Sequence, residues 1–456
     1  MLQAELGSGK PNSLKEGLRL AWAKGRLLAI KLRADNDFYS QTSQLHSRGL
    51  PCTSSALASL PPFLECPVSE DGAVIVAKTG MGSSAALVSS LVGALLSFFG
   101  AASLPCFDDV LDQTQAATPG SESQPHLTTL GVKESLGLTH NLAQACHCVA
   151  QGKVGSGFDI SAAIYGTHTY VRFSPTELAD ALSAGDAPPS TSCTSNGSVG
   201  HSSTDRTPLE RLAMCVQAPG GWDAERGQLR IPSCFRLLMG DVCGGSSTPS
   251  MVRKIQAWRA NPSTADRAKE VWSSLGSTNA IIAKMLNSLA TSAAVSGYST
   301  GEKSFEAGAQ ALSSLPSSKW AELAKRGMHC AADTLEQLLQ LREAFAKARQ
   351  LLREMGEDAG VPIEPPVQTK LLDATSALPG ILCAGVPGAG GVDAVFAIVV
   401  HPDAEDGVRD LWANWLVERV DVKSEDGRGV VCPLLLTASA GGSRGGILST
   451  TKMAWQ

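Results

Sequence analysis

The sequence predicts an α+β protein of two lobes. Three observations carry that expectation. Short apolar runs alternate with helical patterns in the first half, residues 265–355 are almost wholly helical in pattern, and strand-like runs return at Ile381 to Ala384 and Ala394 to Val400.

Taken in order, the leading residues read as a helix running into a strand over Leu27 to Leu32. Ala73 to Ala77 (AVIVA) reads as a short strand, followed by a glycine turn and a helix from Ser84 to about Phe99. Residues 135–151 set Leu138, Leu142, Ala145, Cys146 and Val149 on one helical face, and Tyr165 to Phe173 alternates as a strand does. Thr248 to Trp258 suits a helix behind a threonine cap. Later, Leu338, Leu341, Phe345, Ala348 and Leu352 recur at helical spacing as a core stripe, until Gly356 to Pro366 breaks it. Two segments, Leu111 to Thr128 and Ser183 to Arg206, are rich in Ser, Thr, Pro and Gly without apolar periodicity. They bury too little to offset their ordering entropy, so they are predicted to be mobile surface insertions.

Composition narrows the function classes. Of 456 residues, 43% are apolar, and 38 Lys+Arg stand against 43 Asp+Glu for a net charge of −5. The charges are mixed and no long basic run appears, which argues against a nucleic-acid partner. No apolar run reaches the ~18–20 residues a membrane span requires. The 12 cysteines are scattered, and Cys146-His147-Cys148 has no second pair at metal-site spacing. These cysteines read as small, semi-apolar residues of a reduced cytosolic protein. Seven Lys/Arg stand among the first 33 residues against Glu5 and Glu16, so a targeting segment stays open. The expected compartment is the cytoplasm, with the peroxisome as the alternative.

Four loops carry the chemistry. Lys78-Thr79-Gly80-Met81-Gly82-Ser83-Ser84-Ala85-Ala86 lies between a predicted strand and a predicted helix. Its glycines permit close backbone approach, and free N–H groups at a helix entrance form an anion site to which two hydroxyls and Lys78 add. It is not a Walker A loop. Gln151-Gly152-Lys153-Val154-Gly155-Ser156-Gly157-Phe158-Asp159 combines a flexible backbone with a lysine, a hydroxyl and a carboxylate. That set suits phosphoryl transfer, and equally a plain glycine turn before a helix. The stretch from Gly240 to Met251 repeats the glycine-and-hydroxyl entrance, with Arg253 and Lys254 one turn in. Gly385 to Ala394 is glycine-rich and, by spacing alone, fits a hairpin of no chemical consequence.

Together these residues resemble a known family. KTGMGSSAA resembles the second signature of the GHMP kinases, and its leading Lys-Thr is most similar to the phosphomevalonate kinases among them. QGKVGSGFD with the following ISAAIYG, GGSSTPSMV, and MGEDAGVPIEP resemble the same family, and 385–394 resembles the third GHMP signature. Arg172, in YVRFSP, also fits it. The four loops matching in order across 78–394, with MGEDAGVPIEP beside them, are more specific than any one.

The resemblance implies a two-lobed GHMP fold, with a ribosomal protein S5 domain 2-like N-terminal lobe and a helix-rich, ferredoxin-like C-terminal lobe. The implied divisions are a divergent segment 1–34, an ATP-binding lobe 35–232 and a second lobe 233–456. It also implies transfer of the ATP γ-phosphoryl group to 5-phosphomevalonate, by a monomer or homodimer. Lys78, Gly80, Gly82, Ser83, Ser84, Ala85 and Ala86, with Gly388, Gly390 and Gly391, would bind ATP, and Ser84 would hold Mg²⁺. Asp159 would act as base or orienter, with Lys153 offsetting phosphate charge. Ser156, Gly157, Gly245, Ser246, Ser247 and Thr248 would bind the acceptor.

The sequence departs from the family in two places. The family's first signature, a Pro-Gly-Lys strand-turn, is absent, and Gly9-Lys10-Pro11 lacks the strand pattern to replace it. That implies missing N-terminal strands and uncovered apolar sheet edges, from either a truncated sequence or an inactive nucleotide-binding remnant. Asp241-Val242-Cys243 stands where the family carries a longer, proline-containing form. Mevalonate kinase is the rival within the superfamily, and KVGSGFD and GGSSTPSMV argue against it.

Overall fold

The structure is a computed structural model that describes residues 30–105, 129–182, 208–217, 222–242, 248–296, 305–325, 332–418 and 428–435, and residue 23 in isolation. The predicted insertions 111–128 and 183–206, most of segment 1–34, and Gly245, Ser246 and Ser247 lie outside the described residues. The class is α+β, as predicted. Two compact units form: one holds Ser84–Gln228, and the other combines Arg33–Ser83 with Leu229–Ala440.

In the first unit, α1 (Ser83–Phe98) packs Ala85, Val92 and Leu96 against Ala143 of α2 (Thr129–Gln151) and against Ile160 and Ile164 of α3 (Phe158–Tyr165). A second cluster joins Ala145 and Cys148 to Phe173, Leu178, Val216 and Trp222. The latter pair sits on and just beyond α5 (Pro208–Val216), while Leu178 lies on α4 (Thr176–Leu182). A two-stranded antiparallel ribbon pairs β1 (His168–Val171) with β2 (Glu225–Gln228).

Leu138, Leu142 and Ala145 of α2 pack inward as predicted, but the inward face is wider and more polar than its apolar residues predict. Cys146 and Val149 are exposed, whereas His140, Asn141, Gln144 and His147 are buried. The helix thus turns a polar stripe inward, toward the loop that precedes α3. Burial pushes the His140 imidazole down to about 4, so the folded unit holds it neutral. An unfolded histidine takes up its proton near pH 6.5, so folding loses stability as pH falls from there toward about 4, by about 2 kcal/mol at pH 5. The thermal midpoint should fall across that window, and His140→Leu should flatten the fall. Equal slopes for the two proteins would contradict this.

The second unit is built on a four-stranded antiparallel sheet in the order β4-β5-β3-β8. Its strands are β3 (Arg236–Asp241), β4 (Ile381–Gly385), β5 (Ala394–Val399) and β8 (Cys432–Pro433); β6 (Leu416–Glu418) and β7 (Arg428–Val430) form a separate ribbon. Alternate residues of β5 serve different clusters. Val395, Ala397 and Val399 join Trp258, Leu351, Leu371 and Trp412, while Ile398 joins Leu289, Trp320, Leu338 and Leu341. Both faces of the sheet are therefore covered. The predicted stripe of residues 338–352 lies on α10 (Ala332–Ala359), beside α7 (Ala265–Ser296). That helix passes through Gly356 and stops only at Gly360, which adopts a positive φ of 63°. Further helices of this unit are α6 (Thr248–Ala260), α8 (Phe305–Ser313), α9 (Trp320–Lys325), α11 (Pro366–Ala377) and α12 (Glu405–Asn414), with two short ones over Thr42–Ser47 and Ser54–Ala58.

Of the predicted strand Leu27 to Leu32, residues 27–29 lie outside the described residues, and residues 30–32 carry no regular structure. Ala73 to Ala77 makes only an isolated bridge, Val68 with Val74, and Val74, Ile75 and Val76 are 61%, 50% and 50% exposed. A β-prone run becomes a strand only where a partner continues along it, and here the 67–69 segment pairs only briefly, through Ser69 N–H to the Ala73 carbonyl and Ile75 N–H to the Pro67 carbonyl, both at 2.8 Å.

Candidate functional site

The 78–86 loop begins on a buried anchor. Ser40 N–H donates to the Ala77 carbonyl at 2.8 Å and Thr79 N–H to that of Phe38 at 3.3 Å. The fully buried Thr79 hydroxyl donates to the Asp37 carbonyl at 2.7 Å. Asp37 in turn accepts from Leu435 N–H at 3.3 Å, and burial pushes its carboxyl above the usual range. With Thr79 fixed, Lys78 is exposed, and Gly80 and Gly82 turn with φ of 78° and 76°. A Cβ on Gly80 would lie 4.0 Å from that of Asp393, so the 78–82 loop and the 385–394 loop are neighbours within the second unit.

The 385–394 loop joins β4 to β5 and is held from below. Gly391 N–H donates to the Ile363 carbonyl at 2.8 Å, and Asp393 accepts from Val242 N–H at 2.9 Å. Gly390 adopts φ of 78°, and a Cβ there would meet the Ile363 carbonyl oxygen. Gly390→Ala is therefore expected to cost about 2 kcal/mol or more, read as a lower urea midpoint. An unchanged midpoint would mean that the loop does not need this backbone. Ile363 is fixed by its neighbour Glu364, which accepts from Arg349 at 2.8 and 2.7 Å, from Arg353 at 3.2 Å and from Thr369 at 3.0 Å.

In the first unit, the 151–159 loop closes on Gly157, whose φ of 81° makes it the left-handed N-cap of α3. A Cβ at Gly157 would press on Gln144, Phe173 and Tyr170 at 2.8–3.0 Å. Arg172 straps the loop by donating to the Val154 and Gly155 carbonyls, both at 3.1 Å, and the Tyr170 hydroxyl donates to the Ser156 carbonyl at 3.0 Å. Asp159 sits in the first turn of α3, where the helix dipole favours a carboxylate, and accepts from Ile160 N–H at 3.0 Å. Its other oxygen lies 4.0 Å from His147 Nδ1, and His147 Nε2 lies 3.1 Å from the Ser84 hydroxyl. One imidazole thus links the two residues.

The structure therefore brings Ser84 and Asp159 together within the first unit, and Gly80 beside the third-signature loop within the second. Lys153 and Ser156 are exposed on the strapped loop, and Gly388 is exposed at its turn. Ser83 and Ala85 are buried at the helix entrance, Gly82 and Ala86 half-buried. Thr248 begins α6. Sequence reasoning missed His147 and Glu364, and gave Arg172 a fit to the family but no role. The legible signal for His147 was its four-residue step to Gln151, one helical turn, running into the glycine loop. Among the described residues no helix is long and apolar enough to cross a membrane, and no cluster of three or more His, Cys, Asp or Glu could hold a metal ion.

No protein-family model matches the chain. Individual relatives do. The chain is 37% identical over 426 residues to a peroxisomal phosphomevalonate kinase of Arabidopsis thaliana, covering 91% of this chain and 74% of that protein. It is 33% identical over 403 residues to a phosphomevalonate kinase of Aspergillus fumigatus, covering 88% of this chain and 63% of that one. A Candida albicans phosphomevalonate kinase is 29% identical over 326 residues, covering 72% and 57%. The fungal relatives are thus matched over less than two thirds of their length. A similarity of this extent with the plant enzyme, with the signature loops in order inside it, places the chain in the phosphomevalonate kinase family.

Proposed function

We propose that this chain transfers the γ-phosphoryl group of ATP to the phosphate of 5-phosphomevalonate, giving 5-diphosphomevalonate and ADP in the mevalonate route to isoprenoids. An acceptor phosphate oxygen forms the new P–O bond as the bond from the γ-phosphorus to the ADP oxygen breaks. Family membership supports the reaction class. The observation that carries the site is the joining of Ser84 and Asp159 through one buried imidazole.

The 78–86 loop would hold the ATP phosphates through Lys78, backbone N–H groups from Gly80 to Ala86 and the hydroxyls of Ser83 and Ser84. Gly388, Gly390 and Gly391 would back the nucleotide. Ser156, Gly157 and the segment Gly245 to Thr248 would receive the acceptor, with Lys153 offsetting its charge. The lobe limits implied by the family, 35–232 and 233–456, are proposed for this chain.

The donors suit Mg²⁺. A hard cation takes oxygen ligands and usually keeps several waters beside one or two protein groups and the substrate phosphates. Ser84 offers such an oxygen, with the Asp159 carboxylate on the far side of the same imidazole. Bound there, the cation would neutralise charge on the transferring phosphates. Asp159 orients the acceptor more than it deprotonates it, because a phosphate monoester is largely ionised at neutral pH, its second pKa lying near ~6.

The peroxisomal name of the plant relative favours that alternative over the cytoplasm, and localisation of a tagged full chain would test it. Phosphomevalonate-dependent release of ADP in a coupled assay tests the reaction. Turnover with mevalonate instead would reassign the acceptor, and ATP-dependent thermal stabilisation without ADP release would make the chain a nucleotide binder.

A further inference from the structure

We propose that His147 is a positioning residue that sets the direction of the Ser84 hydroxyl, so that its oxygen faces the phosphate-bound cation. The inference rests on the reading of Ser84 as a cation ligand and adds the device that makes it one.

His147 is 3% exposed, on the buried polar stripe of α2. Three groups surround its ring: Ser84 Oγ at 3.1 Å and Gln151 Nε2 at 2.9 Å, both on Nε2, and Asp159 Oδ2 at 4.0 Å from Nδ1. An amide nitrogen only donates, so Nε2 is the acceptor and the ring proton sits on Nδ1, toward the carboxylate. The Ser84 hydroxyl then donates inward to Nε2. Its lone pairs are left for the ligand side.

That direction decides whether a serine can serve a cation. A hydroxyl ligates through oxygen, and its proton must point away to an acceptor. With no acceptor behind it, the hydroxyl turns its proton toward the phosphates and offers them a hydrogen bond. Partners that orient a metal ligand in this way are typically worth ~10–100-fold in metal affinity. The Nδ1 contact to Asp159 is longer than a hydrogen bond and biases the tautomer electrostatically. The smaller effect is therefore expected at Asp159.

The test uses the full chain with ATP and Mn²⁺ as probe, reading bound Mn²⁺ by electron paramagnetic resonance. His147→Leu should weaken Mn²⁺ in the ATP complex by ~10–100-fold while metal-free ATP binds as before. His147→Gln can present a carbonyl acceptor in place of Nε2, and should recover most of the loss. Combining His147→Leu with Ser84→Ala should cost no more than Ser84→Ala alone. Unchanged Mn²⁺ affinity in His147→Leu, or additive losses in the double variant, would overturn the proposal. Should the leucine variant fail to fold, ¹⁵N-imidazole spectra of the unaltered chain decide. An unprotonated Nε2 supports the assignment, and a protonated Nε2 sinks it. Failure of the kinase reading would show separately, as no phosphomevalonate-dependent ADP release from the unaltered chain.

Discussion

Replacing Glu364 with alanine is expected to lower the stability of the second unit by about 3–5 kcal/mol, among the largest losses a single change here should cause. The side chain is 1% exposed, yet it carries a charge that neutralises Arg349 by a two-point contact and touches Arg353 and the Thr369 hydroxyl as well. Removing it strands the Arg349 guanidinium, itself largely buried, with only the exposed Asp373 as a charged partner. An uncompensated buried charge costs far more than the pair itself contributes. Glu364→Gln keeps the volume and part of the hydrogen bonding, so it should fall between alanine and the unaltered chain. Arg267 is the contrast. It reaches Glu270, Glu354 and Asp358, but all four side chains are solvent-accessible, and Arg267→Ala should barely move the midpoint. Glu364 also neighbours Ile363, whose carbonyl receives the Gly391 amide, so its loss should raise the KM for ATP more than it lowers kcat. Urea titration with both variants checks the first claim and steady-state kinetics the second. Equal midpoints for Glu364→Ala and Arg267→Ala would refute it.

How much of this was legible in the sequence follows from what each element buries. α10 was readable because Leu338 and Leu341 are buried on one side of a long helix, and a one-sided core writes a clean period. β4 and β5 were readable as apolar runs around a glycine turn. β3 was not: Leu237-Leu238-Met239 is short and lies in a sheet covered on both faces, so it shows no alternation and merges with the glycine loop that follows. α2 was readable only in part. Leu138, Leu142 and Ala145 pack into the core as their spacing predicts, but His140, Gln144 and His147 are buried beside them, which a rule that sends only apolar residues inward does not foresee. AVIVA misled because β-propensity reports a preference for a pleated neighbour and does not supply one. The site was legible as loops, through glycines and hydroxyls in order. The holding roles of Thr79, Arg172 and Glu364 were not, since a lone threonine, arginine or glutamate has no spacing that tells what it will bond. MGEDAGVPIEP was recognisable as a family stretch, but that the stretch works by clamping Glu364 beneath the third signature required coordinates.

Asp159→Asn is expected to reduce kcat by at least about 100-fold, with little change in fold. Asparagine has the same shape, and its carbonyl oxygen can keep the hydrogen bond from Ile160 N–H, so α3 retains its first turn. What disappears is a negative charge placed at a helix start, within 4.0 Å of the His147 ring and one imidazole away from Ser84. Were Asp159 only a helix-start residue, losing its favourable interaction with the dipole would cost about 0.3–1 kcal/mol of stability and leave turnover intact. Were it a base removing a proton from an alcohol, the loss would be of order 10²–10⁴. A phosphate acceptor lies between these cases: little proton needs removing, and on the proposed reading the carboxylate would act by fixing where the attacking oxygen and the hydroxyl-bound cation sit. Orientation of that kind supplies factors as large as proton transfer does, because a misplaced oxygen spends most of its bound lifetime out of line with the γ-phosphorus. The expected signature is therefore a large fall in kcat with the KM values for ATP and phosphomevalonate within about threefold of normal. Near-normal kcat would remove Asp159 from the reaction. A raised KM with kcat preserved would recast it as a binding group.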